Sequence, residues 1–405
     1  MLVATLTPAG DPRGLAAETP LLCLVCGVNG GADVAVNLLL FLPLSVGLRL
    51  AGVSWARIVV IAGLLSLTVE LLQLFVIPGR DASLSDVLTN TISGALGATL
   101  GTLLPGLLRP RPARALALLA GGGIALVLTL LVSGWLLSPE VPRGDLMSRW
   151  AHEAPGTDVF NGRVRSVRLE GVPMPHDGSP PDSAALRQRL DGGRFSLEAE
   201  VVSGAPTRDR LWVYMFRVPS GGALTLNQQG RQAGVALPAR ALRFYLRPPM
   251  VTLAAGFPQA ADVPVALTAW AAAGRVRIAS VYDGLERSTT LGLSPVFGWI
   301  LFVPFELAVG TGVRWVSGMF LAAMFLPLGY WAAWTRRPRW ALLVLAVALG
   351  VALGAVPPAV GLPAVHWSEW LAGLLGTAAG WALQRPAAYL PGRCASPSDS
   401  ESFSS

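Results

Sequence analysis

The chain has 405 residues, of which 53% are hydrophobic and only 14% charged, against roughly 25% charged in a soluble domain. That balance excludes a disordered chain, a small disulfide scaffold and a single soluble enzyme domain, and it points to a polytopic membrane protein with one polar insert. The net charge of +7 is carried by arginine alone, spread between apolar runs rather than gathered in one patch, so no nucleic-acid partner is expected. Cys23, Cys26 and Cys394 are too few for a disulfide framework, and His152, His176 and His366 are far apart in sequence. No metal or other cofactor is expected.

Residues 1–32 read as an N-terminal extracytoplasmic segment. Cys23-x-x-Cys26 cannot complete a tetrahedral zinc site by itself; it is either a redox or disulfide pair or two small apolar residues in an interfacial turn. Seven apolar runs then approach the roughly 20 residues needed to cross a bilayer: 33–50, 55–77, 86–108, 115–137, 315–334, 340–360 and 366–384. An eighth stretch, 296–313, carries Pro304 and Glu306 and reads as an interfacial segment, with a span as the alternative. Arg49 and Arg57, then Arg109, Arg111 and Arg114, then Arg336, Arg337 and Arg339, and finally Arg385 and Arg393 fall on one side if seven spans cross. The positive-inside rule makes that side cytoplasmic. It places 138–293 outside and leaves 385–405 as a disordered cytoplasmic tail.

Within the spans, polar side chains are costly and mark candidate sites. Ser66, Glu70 and Gln73 share one helical face, as do Asp86, Asn90, Ser93, Gly97 and Gly101. With Asn37 and Arg80, these groups converge on the outer end of the bundle. The reading is a polar pocket open to that face, with Arg80 pairing Glu70 or Asp86 or holding an anionic headgroup. The competing reading is a hydrogen-bond network that only locks helices together. Two carboxylates can divide acid and base roles, yet no nucleophile motif accompanies Glu70 and Asp86, and the chain is read as non-enzymatic.

Phe41-Leu42-Pro43-Leu44 recurs as Phe325-Leu326-Pro327-Leu328, and Asp86 through Gly97 corresponds to Glu369 through Gly380. The spacing points to a tandem repeat. In its first copy the span corresponding to 115–137 is expected to be lost or to lie upstream of Met1. The order Asn37…Pro43, Glu70-x-x-Gln73, Pro78-Gly79-Arg80, Ser85-Asp86-x-x-x-Asn90, Gly94 and Gly97 resembles the VanZ-like family of bacterial membrane proteins. The resemblance covers residues 33–108 as one repeat. Residues 109–137 form a linker and the first span of a second repeat, and 294–384 its remainder. That second copy is degenerate, with Leu321 where Asn37 would stand. The resemblance implies a helical fold and a cell-envelope setting, not a reaction.

Between them, 138–293 holds 18 of the arginines and 14 of the acids. Phe195 to Val202 and Val276 to Val281 alternate with period two, and Asp191-Gly192-Gly193, Ser220-Gly221-Gly222 and Asp283-Gly284 mark turns, which together predict an antiparallel sandwich. Val265–Trp270, Gly274–Ile278 and Tyr282-Asp283-Gly284, together with Leu224–Gln229, resemble the strands of concanavalin A-like, laminin-G-type jelly rolls. The resemblance implies a glycan-binding face, for which Trp212, Tyr214 and Arg217 are the candidates. Trp212 and Tyr214 are two apart and so are expected on one strand face, with burial in the core as the alternative. Asp177, Asp209 and Asp283 are calcium-ligand types without the spacing of a calcium loop. The expected partners are a membrane lipid or lipid-linked envelope precursor and a glycan; the oligomeric state is left open. The alternatives are a membrane-embedded enzyme and an envelope-assembly scaffold.

Overall fold

The structure is a computed structural model; it describes residues 25, 29–77, 83–151, 158–218, 221–303 and 311–387. Cys23, Cys26, Cys394, Arg80, Ser220, Pro304, Glu306 and most of the C-terminal tail lie outside these residues. Ten α-helices are described: α1 (Gly30–Leu40), α2 (Leu42–Leu50), α3 (Trp55–Phe75), α4 (Leu84–Leu108), α5 (Pro112–Leu137), α6 (Ser183–Asp191), α7 (Thr311–Trp334), α8 (Pro338–Leu349), α9 (Val356–Ala359) and α10 (Trp367–Ala387). Six segments among the described residues are long and apolar enough to cross a membrane: 30–50, 55–75, 84–108, 112–137, 312–334 and 338–359. The chain is a multi-pass membrane protein. The seventh expected run forms α10, a helix of similar length that is not among those six, because Glu369, Gln384 and six tryptophan or glycine positions dilute its leucines.

Small residues set the helix packing, since without a hydrophobic drive between helices close backbone approach supplies the attraction. A Cβ on Gly97 of α4 would lie 2.8 Å from the Leu42 carbonyl of α2; a Cβ on Gly380 of α10 would lie 1.9 Å from the Leu326 carbonyl of α7. Phe41 and Phe325 are both fully buried beside these contacts. Phe41 also divides the first expected span into α1 and α2, with Pro43 opening the second piece. In the span 338–359 a π-helical turn, Gly350–Ala355, separates α8 from α9. Pro357 and Pro358 have no N–H to return to the preceding carbonyls, and the ladder shifts register to compensate.

Thirteen strands in two sheets are described in the β unit. The first has the order β10-β9-β8-β7-β1-β5, with β2 beside β7; the second runs β13-β12-β11-β6-β3-β4. Their bounds are β1 Met147–Trp150, β2 Asp158–Val159, β3 Arg163–Leu169, β4 Val172–Pro173, β5 Asp177–Gly178, β6 Phe195–Val202, β7 Arg210–Val218, β8 Gly221–Gln229, β9 Gln232–Ala236, β10 Met250–Leu253, β11 Pro264–Ala272, β12 Arg275–Tyr282 and β13 Leu285–Gly292. All pairs are antiparallel except β2 with β7. The alternation expected over 195–202 and 276–281 produces β6 and β12, whose inward residues join Leu224, Leu226 and Val235 of the other sheet in one core. Asp283 and Gly284, both at positive φ, make the two-residue turn that joins β12 to β13.

The stretch 296–313 is neither one interfacial segment nor one span in its described parts. Pro295–Leu301 is a largely buried 3-10 turn, packed against α5 where a Cβ on Gly298 would meet Ser133 and one on Gly134 would meet Pro295. Residues 311–313 already belong to α7.

Candidate functional site

The last turns of α3 lie beside the start of α4, and α1 packs against α4. Asn37 Nδ2 donates to Asp86 Oδ1 at 2.9 Å. Asn90 Nδ2 donates to Ser66 Oγ at 2.9 Å, and Ser66 Oγ donates to the Asp86 carbonyl at 3.4 Å. The Ser83 N–H donates to Glu70 Oε2 at 2.7 Å. Glu70, Gln73, Ser66 and Asn90 are buried; Asn37 and Asp86 are half-buried. Glu70 and Asp86 lie within electrostatic reach of each other. Asn37, Ser66, Glu70, Asp86 and Asn90 thus form one cluster, as the face analysis expects, with Gln73 one turn from Glu70. Arg80 is outside the described residues, so its expected pairing is not on view; the described partners of Glu70 and Asp86 are Ser83 and Asn37.

Ser83 is the functional neighbour that span-by-span reading misses. Ser83-x-x-Asp86 has the form of a capping box, in which the acid would take the Ser83 N–H. Here Asp86 accepts from Asn37, and Glu70 of the preceding helix accepts that N–H instead. Of the buried polar atoms without a hydrogen-bond partner among the described residues, three belong to α2 and α4 in and below this cluster: Asn90 Oδ1, Ser93 Oγ and Ser45 Oγ. They are places where ordered water would be held.

The C-terminal half has a second buried acid, Glu369, near the start of α10. Ser294 Oγ donates to its Oε2 at 2.9 Å, and Arg314 lies within electrostatic reach. Ser294 comes from the strand-to-helix connection, so this second site is closed by the chain itself.

In the β unit, a bulge corrects the expected pairing of Trp212 with Tyr214. Trp212 opposes Asn227 and Tyr214 opposes Leu226, with Val213 as the extra residue. The bulge reverses the alternation: Tyr214 enters the core, where burial pushes its phenol above the ordinary range, while Trp212 stays half-buried on the outer face. Residues directly opposed in register point to one side of a sheet. The face of the larger sheet turned away from the core therefore carries one row of Trp212, Asn227, Gly234 and Thr252, and a second of Asp177, Arg149, Met215, Thr225, Ala236 and Met250; Asn227, Gly234, Thr252, Thr225 and Ala236 are themselves buried. Arg217 belongs to this face beside Gly222, and Arg149 pairs with Asp177 at 3.1 Å. Asp209 and Asp283 are not joined to Asp177; no group of three metal-ligating side chains occurs among the described residues.

These features define a membrane-embedded helical unit with a polar cluster at one end, joined to an antiparallel β unit. Residues 5–108 match the family model VanZ/LLP1, a match that takes in every helix of the Asn37–Asp86 cluster. A search of curated proteins and a search of solved structures each returned no match to the chain.

Proposed function

We propose that this protein binds a cell-envelope glycan or a lipid-linked headgroup at the outer face of a bacterial inner membrane. The observation that carries the reading is the convergence of Asn37, Glu70, Asp86 and Asn90 at one end of the bundle. The β unit attaches at that same end. Carboxylates and amides suit sugar hydroxyls, while Arg80 in the α3–α4 connection would hold a phosphate.

On this reading α10 is a seventh span. Every arginine cluster of the short loops then lies at the opposite end, which is cytoplasmic by the positive-inside rule. The two helical parts are tandem copies of one unit: the Gly97–Leu42 and Gly380–Leu326 approaches occupy corresponding positions and support a duplication, with the second copy structural. The β unit is a jelly roll of the concanavalin A type that captures the polymer on its outer face, where Trp212 offers a stacking surface and Arg217 a donor fork.

The first test is sidedness. A single cysteine at Leu285 in a chain with Cys23, Cys26 and Cys394 changed to serine should react with an impermeant thiol reagent on intact cells; protection until the membrane is broken overturns the reading. The second is retention of a polyprenyl-diphosphate-linked disaccharide by the full-length protein in nanodiscs, expected to fall at least tenfold (about 1.4 kcal/mol or more) in Glu70→Gln. The proximity of Glu70 and Asp86 favours one other reading, a membrane-embedded enzyme using them as acid and base. Turnover of that headgroup by the native protein, lost in Glu70→Gln without a change in melting, would select it. Indifference of both retention and turnover to Glu70→Gln would leave an envelope scaffold.

A further inference from the structure

The part of the β unit that meets the helices at α1 is the 3-10 turn Arg240–Phe244 with Tyr245. Tyr245 adopts φ 54°, and its carbonyl accepts the N–H groups of Gly31 at 3.1 Å and Ala32 at 3.3 Å. The turn is thereby fastened to the first turn of α1. On its other side stands Trp135, in the last turn of α5. The Trp135 and Phe244 rings are 5.8 Å apart at 57°, and the Arg240 guanidinium lies 5.4 Å above the Trp135 ring. Glu140 pairs with both Arg240 at 3.0 Å and Arg243 at 2.5 Å.

Three aromatic side chains stay uncovered here: Phe244 is 48% exposed, Tyr245 45% and Trp135 39%. Trp135 is not isolated. Ile124, Leu128, Leu131 and Val132 are exposed along α5, and at spacings of three and four they run up one side of the helix to Trp135. Since α5 is one of the segments able to cross a membrane, that stripe faces lipid. The surface of Phe244 and Tyr245 is its direct continuation. Aromatic rings with a polar edge and arginines with long apolar stems are the side chains that settle at headgroup level.

We propose that the 240–245 turn is a membrane-interfacial anchor, in which Phe244 and Tyr245 sit in the headgroup layer of the leaflet that the C-terminal end of α5 enters, with Arg243 at its polar edge. The β unit then lies against the bilayer instead of standing away from it. The occupant of this apolar patch is lipid, because the patch is continuous with the lipid-facing side of α5. The inference does not depend on which leaflet is the outer one, nor on any ligand of the polar cluster.

The test uses the full-length protein in nanodiscs, with Cys23, Cys26 and Cys394 changed to serine and an environment-sensitive fluorophore on one introduced cysteine. Phe244→Cys should be quenched several-fold more by lipids carrying a nitroxide near the headgroup than by aqueous iodide. Leu285→Cys is the control. It lies at the far end of β12 and β13 from the Gly274 turn, which rests on Pro363 of the loop before α10, and should be quenched by iodide alone. Arg243→Cys provides a second probe of the same turn should Phe244→Cys fail to fold. Iodide quenching at 243 and 244 equal to that at 285 would overturn the anchor, and so would weak quenching by both agents, which would mean that protein covers the patch.

Discussion

Asn37 is the residue whose chemistry separates the two helical halves. It sits one turn beyond Asp33 in an otherwise apolar helix, and its amide reaches across to Asp86 on α4. Hydrogen bonds between membrane helices contribute about 0.6 kcal/mol on average and up to about 1.7, so the bond is a modest stabiliser and a strict positioner. Asn37→Leu removes the amide and keeps a side chain of similar size. The expected result is a loss of about 1 kcal/mol. A double-mutant cycle of Asn37→Ala and Asp86→Ala, followed by thermal unfolding in detergent, measures this. A coupling energy indistinguishable from zero would remove the bond from the account. The same residue scale explains why Asn37, Glu70 and Asn90 were legible from sequence: a polar side chain within an apolar run has few bland explanations. Ser83 was not legible, because its contribution is a backbone N–H, and backbone donors leave no residue type to read.

At the scale of elements, length and hydropathy located the spans to within a few residues, and period-two alternation located β6 and β12. Three features escaped. The break at Phe41 and the π turn at Gly350–Ala355 both follow from nearby prolines, whose effect on the ladder depends on how neighbours resatisfy the freed groups. The bulge at Val213 could not be read because strand faces are inferred by counting, and one inserted residue reverses the count. Helix α6 escaped because only Leu186 and Leu190 are buried on it, too short a pattern to show period. Contacts between elements were equally invisible. Trp331 Nε1 of α7 donates to the Leu107 carbonyl at 2.9 Å, and Tyr330 Oη donates to that of Leu108. These carbonyls end α4 and have no helical donor of their own. Trp331→Phe should therefore cost at least about 1 kcal/mol, the usual net worth of a neutral hydrogen bond, with the packing of the indole's six-membered ring beside Gly122 lost in addition. Adding Tyr330→Phe should deepen the loss. Melting temperatures of the single and double variants check this, and unchanged values in both would mean the α4 terminus is satisfied otherwise.

For the whole molecule, the consequence is that the region matching VanZ/LLP1 is held at both ends by the rest of the chain: the Tyr245 carbonyl receives the α1 amides at one end, and α7 caps α4 at the other. Arg247, whose side chain lies 3.9 Å from Asp33, adds only a loose ion pair to the first clamp. The clamp at α1 makes a pair of substitutions diverge. A Cβ on Gly31 would stand 1.8 Å from the Phe244 carbonyl, which is backbone and cannot turn aside, so Gly31→Ala must push the β unit off α1. Tyr245 holds a left-handed conformation that glycine adopts without the roughly 1 kcal/mol penalty of an L side chain. Tyr245→Gly therefore keeps the carbonyl geometry and sacrifices only the exposed ring. The expectation is that Gly31→Ala loosens the β unit, seen as faster protease cleavage between α5 and β1 and as hydrogen exchange at the Gly31 and Ala32 amides, whereas Tyr245→Gly leaves both slow. The reverse order would mean that the two units associate through the Tyr245 ring and not through its backbone. The helical cluster at Asn37 would then depend less on how the β unit is seated, because the described backbone bonds between the β unit and the cluster's helices enter through the start of α1.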